Sequence, residues 1–473
     1  MAKVSKGKPA AELPKSATGQ LSCDERRARG KALRQTTPRV SQAGWNPHKD
    51  RRDPVEIVLE SNADRIPELI PIRMGRMAQS PFAFYRGAAA LMAADLARTP
   101  VSGIRVQACG DAHLMNFGGF ATPERNVIFD INDFDETLPA PWEWDLKRLA
   151  ASVVVAAQHL ALPESTAGRL AIETGRAYRE QMADYSTMRA FDVWYDRIDE
   201  SHFMKEAESL AVKQKVRKAM DESLSEARRK SVPEFMFPKL VQLDGTVPRI
   251  KDQPPLLFHP DEKLAPAAQS GFREALDGYR ATLAEPLRVL FDRFSYCDLA
   301  VKVVGVGSVG TRCSVMLFMA AENDPLFLQV KEARASVLEP YAGKSLHQNH
   351  GERVVVGQRL MQSASDLMLG WTVTMSGHDV YLRQLRDMKA SLDLERADAD
   401  VLLVYARMCA RALARAHARS GDAAMIAGYV GTGATFDDAL GEFAHEYADQ
   451  NRRDYRAFVK AIREGRIEAV TEQ

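Results

Sequence analysis

The chain lacks most of what would tie it to a membrane or an oxidising compartment. Its 473 residues include only five cysteines. Cys23, Cys109, Cys297, Cys313 and Cys409 are scattered, odd in number and form no Cys-x-x-Cys pair. That pattern argues against a disulfide framework and a cysteine-rich structural zinc site, and it predicts a reducing, cytoplasmic setting. No apolar run approaches the roughly 20 residues that span a bilayer. The first residues lack the apolar core of a secretory signal, so no membrane partner is expected. An excess of one charge is missing too. Lys and Arg total 64 against 63 Asp and Glu, a net +1, so no global field draws the chain to nucleic acid. Residues 1–53 are the local exception. They are polar, basic and poor in stacking aromatics, which predicts a disordered or loosely docked arm rather than a nucleic-acid arm.

What is present is globular. Apolar residues make 45% of the chain and charged ones 27%, enough for roughly two to four domain-sized units. Periodicity predicts a short helix over 56–68 and an alanine-rich helix over 88–97. Strands follow at 101–109 and 126–131, then an apolar helix at 142–160. Charged helices run over 164–230, a proline-rich irregular stretch over 231–264, and another helical stretch over 265–294. From 298 the texture turns to strands at 299–304, 311–320 and 326–331, a helix at 350–364 and a hairpin at 372–385. Helices close the chain from about 394.

Two short segments concentrate chemistry. Cys109-Gly-Asp-Ala-His-Leu-Met-Asn116 and Asp130-Ile-Asn-Asp-Phe-Asp-Glu136 place acids, a histidine and amides at the ends of apolar strands. Such groups are costly to bury without partners, and divalent metal and phosphate are the partners that suit them. Arg73, Arg76 and Arg86 lie among aromatic and turn residues. Pairing with neighbouring acids is the leading expectation for them, and phosphate contact the second.

Gly305-Val-Gly-Ser-Val-Gly310 fits G-x-G-x-x-G. The run after it is strand-like, so the loop reads as a turn between antiparallel strands over nucleotide phosphates, not as the opening of a dinucleotide-binding helix. Leu326-Phe-Leu-Gln-Val-Lys-Glu332 then ends a buried strand on Lys331, placed to reach phosphates. Lys331 needs an acidic partner, for which Glu339 and Glu352 are the candidates.

Gly110-Asp-Ala-His-Leu-Met-Asn116 resembles the Gly-Asp-x-His-x-x-Asn loop of aminoglycoside phosphotransferases and choline kinases, which have the protein-kinase-like fold. Asp133-Phe-Asp-Glu136 resembles their metal-binding Asp-Phe-Asp segment, and Trp144-Asp-Leu-Lys-Arg-Leu149 the helix start that follows it. The resemblance implies that Asp111 orients and deprotonates a hydroxyl, that His113 braces the loop, and that Asn116 and Asp133 hold Mg²⁺ against ATP. Asp130 and Asp135 compete with Asp133 for that role. Asp145 would bond the catalytic loop structurally. Gly305, Gly307, Ser308, Gly310, Lys331, Glu352 and Gln384 fall on the nucleotide side.

The motif order is reversed relative to ordinary kinases, since the catalytic loop here precedes the glycine loop. A circular permutation reconciles the two. Leu413-Ala-Arg-Ala-His417 resembles the helix that ordinarily runs just before the catalytic loop, although a satisfied core histidine is the simpler reading of His417. The chain as a whole resembles a large bacterial family of unknown function, on Arg76-Met-Ala-Gln-Ser-Pro-Phe82, the glycine loop, Gln384-Leu-Arg-Asp-Met-Lys389 and Ala416-His-Ala-Arg-Ser-Gly-Asp422.

The expected architecture is therefore α+β: a two-lobed, permuted, kinase-like fold with a helix-rich large lobe and a small antiparallel β lobe. Residues 54–163 would carry the catalytic and metal loops, 164–297 a helical insert and proline-rich segment of which 164–264 would select substrate, 298–390 the nucleotide lobe and 391–473 the remaining large-lobe helices. The expected function is ATP- and Mg²⁺-dependent phosphoryl transfer to an unidentified hydroxyl on a small molecule or protein. The alternatives are a metal-dependent phosphoesterase built on Asp111 and His113, AMP transfer, and a non-catalytic nucleotide-binding module.

Overall fold

A computed structural model describes residues 21–212, 214, 237–244, 247–254, 256–259, 266–303, 305–307, 309–321, 324–385 and 390–470. It is α+β, rich in helix, with small antiparallel sheets. Among the described residues no helix is long and apolar enough to cross a membrane.

The helical body forms around Trp142–His159, whose residues are buried from Trp142 through Ala157. Alanine and valine let three long helices close on it: Glu164–Tyr185, Ala399–Ser420 and Thr435–Arg463. The Trp142 and Tyr178 rings stack at 5.5 Å in that core. Strands β1 (Arg105–Ala108) and β4 (Leu138–Pro141) pair antiparallel, as do β2 (Phe117–Ala121) and β3 (Val127–Ile131). These two ladders frame the segments 109–116 and 132–137.

The second layer is a six-stranded antiparallel sheet. Its order is β12 (Gly370–Val373), β13 (Asp379–Gln384), β11 (Pro325–Glu332), β10 (Cys313–Met319), β9 (Ser295–Lys302), β8 (Leu257–Phe258). All of β11 is buried because both faces are covered. Leu326, Leu328 and Val330 point to one side and pack with Tyr279 and Phe291 from the helices Pro266–Thr282 and Glu285–Phe291. Phe327, Gln329 and Lys331 alternate to the other side. The register sets Lys331 opposite Tyr381 and Gln329 opposite Arg383, so four polar side chains share one face.

Two expectations about organisation need correction. Residues 21–53 are ordered. Helix Cys23–Ala32 is closed by a Ser22 capping box with Glu25 and packs on helix Ala423–Val430. Arg51 bridges Asp95 at 2.8 Å and Asp454 at 2.6 Å. The basic residues that suggested a loose arm are thus spent on docking it; residues 1–20 lie outside the described residues. The second correction concerns 164–297. Glu164–Tyr185 belongs to the central helical core rather than to an insert. Strands β6 (Val241–Asp244), β7 (Val247–Ile250) and β8 lie within the stretch expected to be irregular, and Val241, Ile250 and Leu257 extend the packing under the sheet. Prolines 238, 248 and 254 masked that pattern, because proline cannot donate to a ladder and weakens any strand signal.

Candidate functional site

A cavity of about 520 Å³ lies where the helical body meets the sheet. Asp111, His113, Asn116 and Asp133 reach it from the first half of the chain; Gly305, Gly307 and Lys331 reach it from the second.

The loop 109–116 is held from below. Asp145, in the first turn of Trp142–His159, accepts from the Cys109 N–H at 2.6 Å and the Gly110 N–H at 2.9 Å. His417 Nε2 stands 3.2 Å from the same carboxylate, and its Nδ1 stands 2.8 Å from the Tyr178 hydroxyl. His417 is therefore a satisfied core histidine that ties the last helices to the loop. Gly110 has φ +82°, and a Cβ there would sit 2.4 Å from the Glu136 carbonyl oxygen, so only glycine fits. The Ser152 hydroxyl accepts from the Leu114 N–H at 2.9 Å. Inside the loop, Asn116 Nδ2 donates to the Asp111 carbonyl at 2.7 Å, which leaves Asn116 Oδ1 as the free acceptor of that amide.

Asp111 is 19% exposed at its side chain and meets the Arg148 guanidinium at 2.5 Å. Burial pushes its carboxyl above the ordinary range, and Arg148 opposes that rise. Arg148 is clamped in turn: its carbonyl accepts from the Tyr85 hydroxyl at 2.8 Å, and its guanidinium lies 4.6 Å from the Tyr85 ring. His113 is buried, and burial with Arg86 and Arg148 nearby holds it well below its usual pKa, hence neutral. Its Nδ1 has no hydrogen-bond partner among the described residues.

The opposite wall is set by the sheet register. Lys331 Nζ lies 2.7 Å from Asp135 and 3.4 Å from Asp133. Burial alone would lower its pKa; the two carboxylates more than offset that and hold it charged. Tyr381 donates to Asp135 at 2.6 Å, and Arg383 donates to the Asn132 carbonyl at 3.2 Å. Neither expected partner reaches Lys331. Glu352 faces His347 at 3.5 Å, and Glu339 stands 3.9 Å from His350. Helix His350–Met361 turns Arg353 inward instead, onto the Thr137, Asp135 and Arg334 carbonyls. Asp130 is likewise removed from the cavity: it is fully buried against Arg415 at 2.5 Å and accepts from Ser363.

The glycine loop connects antiparallel β9 and β10, as its flanks predict. Gly305 has φ +67° and Gly310 φ +85°. The loop is pinned to the helices preceding residue 90. Arg76 donates to the Gly305 carbonyl, Arg65 to that of Val309, and the Ile66 N–H to that of Gly310 at 2.8 Å. Val306 packs with Val55, Met74 and Phe84. Gly310 itself sits behind Arg65 and off the cavity wall. Gln384 is exposed and lines a separate pocket of about 270 Å³ with Asp366 and Leu367. Its segment end, 386–389, and Ser308 lie outside the described residues.

Several residues on this cavity carried no earlier signal: Arg65, Lys302, Gln329, Arg334 and Arg383. Arg148 had one, since adjacent Lys147 and Arg148 interrupt an otherwise apolar helix, and a buried cation in such a helix must find an anion. Among the described residues of 164–264, expected to select substrate, none lines this cavity.

The comparisons add a family and nothing finer. No curated protein and no solved structure matches the chain. Residues 65–461, which include every cavity segment from Arg65 onward, match a family described as an uncharacterized protein conserved in bacteria (DUF2252), and the chain belongs to that family.

Proposed function

We propose that the protein is an ATP- and Mg²⁺-dependent phosphotransferase with a circularly permuted, protein-kinase-like fold. The observation that carries this reading is convergence. A glycine hairpin, a buried strand lysine and an Asp-x-His-x-x-Asn loop, far apart and reversed in sequence, line one cavity. Phosphoryl transfer asks little covalent work of a protein and much positioning and charge neutralisation, which is what this cavity offers.

Asn116 Oδ1 and the Asp133 carboxylate supply hard oxygen donors of the kind Mg²⁺ takes, and the ion would neutralise charge on the phosphates. Lys331 is the cation placed to meet the α- and β-phosphates. Asp111, held by Arg148, would orient the acceptor hydroxyl and take its proton. Neutral His113 packs beneath the loop and gives it shape. The phosphoesterase alternative would draw on His350 and His378, which do not line the cavity, and among the described residues no group of three or more His, Cys, Asp or Glu is placed to hold a metal.

Calorimetric titration with Mg·ATP tests the reading. Wild type should bind, and Lys331→Ala should lose about tenfold or more in affinity, the scale of one charge-assisted contact. Absence of binding to wild type would sink it.

A further inference from the structure

The wall contributed by residues 61–90 has a property that nucleotide binding leaves unused. Arg65, Arg73, Arg86 and Arg334 all line the cavity, and none is ion-paired to a carboxylate among the described residues. Arg65 donates to the carbonyls of Ser61 at 3.1 Å and Val309 at 2.5 Å. Arg73 donates to Asn62 Oδ1 at 2.6 Å and the Gly87 carbonyl at 2.8 Å. Arg334 donates to the Ala63 carbonyl at 2.7 Å. Arg86 has no hydrogen-bond partner for Nε, and neither does Arg73, although Arg73 is 1% exposed.

Neutral oxygens satisfy hydrogen-bond geometry but cancel no charge. Arg65, Arg73 and Arg334 also crowd one another, whereas the charge that acts on Arg86 is that of Asp111. Burial and then Arg334 bring Arg65 down to about 10 against the opposing pull of Glu136, Glu332 and Asp135, and burial, Arg65 and Arg334 bring Arg73 well below its usual value. Carboxylates of the chain act on these guanidinium groups without forming an ion pair with them among the described residues, and like charges gathered in this way favour an anion from outside the chain. Lys331, by contrast, already has Asp133 and Asp135. Arg86 lines the same cavity as the proposed base, and its charge acts on Asp111 and His113. An acceptor with its hydroxyl at Asp111 would therefore set a second group beside Arg86.

We propose that Arg65, Arg73, Arg86 and Arg334 form an anion subsite separate from the nucleotide, and that the acceptor is a hydroxyl compound carrying a phosphomonoester. A phosphate dianion, with three oxygens for forked guanidinium contacts, matches several arginines better than a single carboxylate does. The identity of the reaction rests on the phosphotransferase reading; the subsite does not. In that reaction the acceptor oxygen forms a bond to the γ-phosphorus, and the bond to the β,γ-bridging oxygen breaks with its electron pair leaving on ADP. The hydroxyl proton passes to Asp111, so the product carries two phosphates.

Inorganic phosphate is the probe. The full chain, saturated with Mg²⁺ and a non-hydrolysable ATP analogue so that the γ-phosphate position is filled, is titrated calorimetrically. Phosphate should bind wild type and bind Arg86→Gln about tenfold more weakly or worse, while affinity for the analogue changes by less than about twofold. Arg86→Gln is chosen because that guanidinium makes no hydrogen bond or ion pair among the described residues, and a thermal melt confirms folding. Three results would overturn the subsite: no phosphate binding to the saturated protein, equal binding by Arg86→Gln, or loss of analogue affinity in Arg86→Gln as large as in Lys331→Ala. Should wild type fail to bind the analogue, the phosphotransferase reading falls. The same titration of nucleotide-free protein then decides the subsite, with Arg86-dependent binding supporting it and Arg86-independent binding refuting it.

Discussion

Two walls of one cavity handle charge in opposite ways. On the wall built by residues 109–148 and by β11 and β13, acids meet cations: Asp111 with Arg148, Asp133 and Asp135 with Lys331. On the wall built by residues 61–90 and Arg334, the cations have no ion pair among the described residues, and the acceptors that Arg65, Arg73 and Arg334 reach are neutral oxygens. A matched pair fixes the position of its members, because separating them strands a charge in a low-dielectric interior. An unmatched cluster is poised for a ligand. The difference separates groups that hold the site's shape from groups whose counter-charge has yet to arrive.

That comparison can be broken at several points. The largest effect should come from Asp111→Asn, which keeps the shape of the matched wall but removes the proton acceptor. Turnover with an identified acceptor should fall by about 10²–10⁴-fold, while Mg·ATP affinity measured by calorimetry is kept. Next is the deepest matched pair, Asp130 with Arg415. Arg415→Ala leaves a buried carboxylate uncompensated and should cost about 3–5 kcal/mol in chemical denaturation. A smaller effect should appear in the pH profile. On the proposed mechanism Asp111 works ionised, so turnover should rise with pH through its pKa, which burial places above the ordinary carboxylate range. Arg148 opposes that shift, so Arg148→Gln should move the acidic limb to higher pH; a limb that stays or moves lower would contradict the pairing. The smallest effect should be Arg86→Gln on stability. Removing an unmatched buried cation should leave the denaturation midpoint of the ligand-free protein unchanged or slightly raised. A marked fall would mean that Arg86 belongs with the matched wall.

Legibility in the sequence followed the range of the interaction. Asp111, His113 and Asn116 are held by contacts inside one loop, such as Asn116 Nδ2 to the Asp111 carbonyl, and their spacing shows in the string. Lys331 was visible because it ends an apolar run. Its partner was not. Glu339 and Glu352 are nearer in sequence, yet Asp135 takes the contact from almost two hundred positions earlier in the chain. Asp130 and Asp133 look equivalent on paper. Strand alternation and Arg415 draw the first into the core, while the second opens on the cavity.

Residues 21–53 repeat the lesson. Their composition resembles that of a loose arm because docking through Arg51, Arg34 and Arg39 uses polar contacts to distant groups, including the carbonyls of Tyr429 and Val430. Local pattern does not record such contacts.

By itself, then, the sequence determined the strands of the sheet from Ser295 to Gln384, the long apolar helices, the glycine hairpin and the internal geometry of the loop from Gly110 to Asn116. These depend on periodicity, turn chemistry and contacts a few residues apart. The tertiary structure decided which acid meets which base, that reversed motifs share a cavity, and that four arginines there have no ion pair among the described residues. Electrostatic partners are chosen by proximity in space, and proximity in space is settled only once the helical body and the sheet have packed.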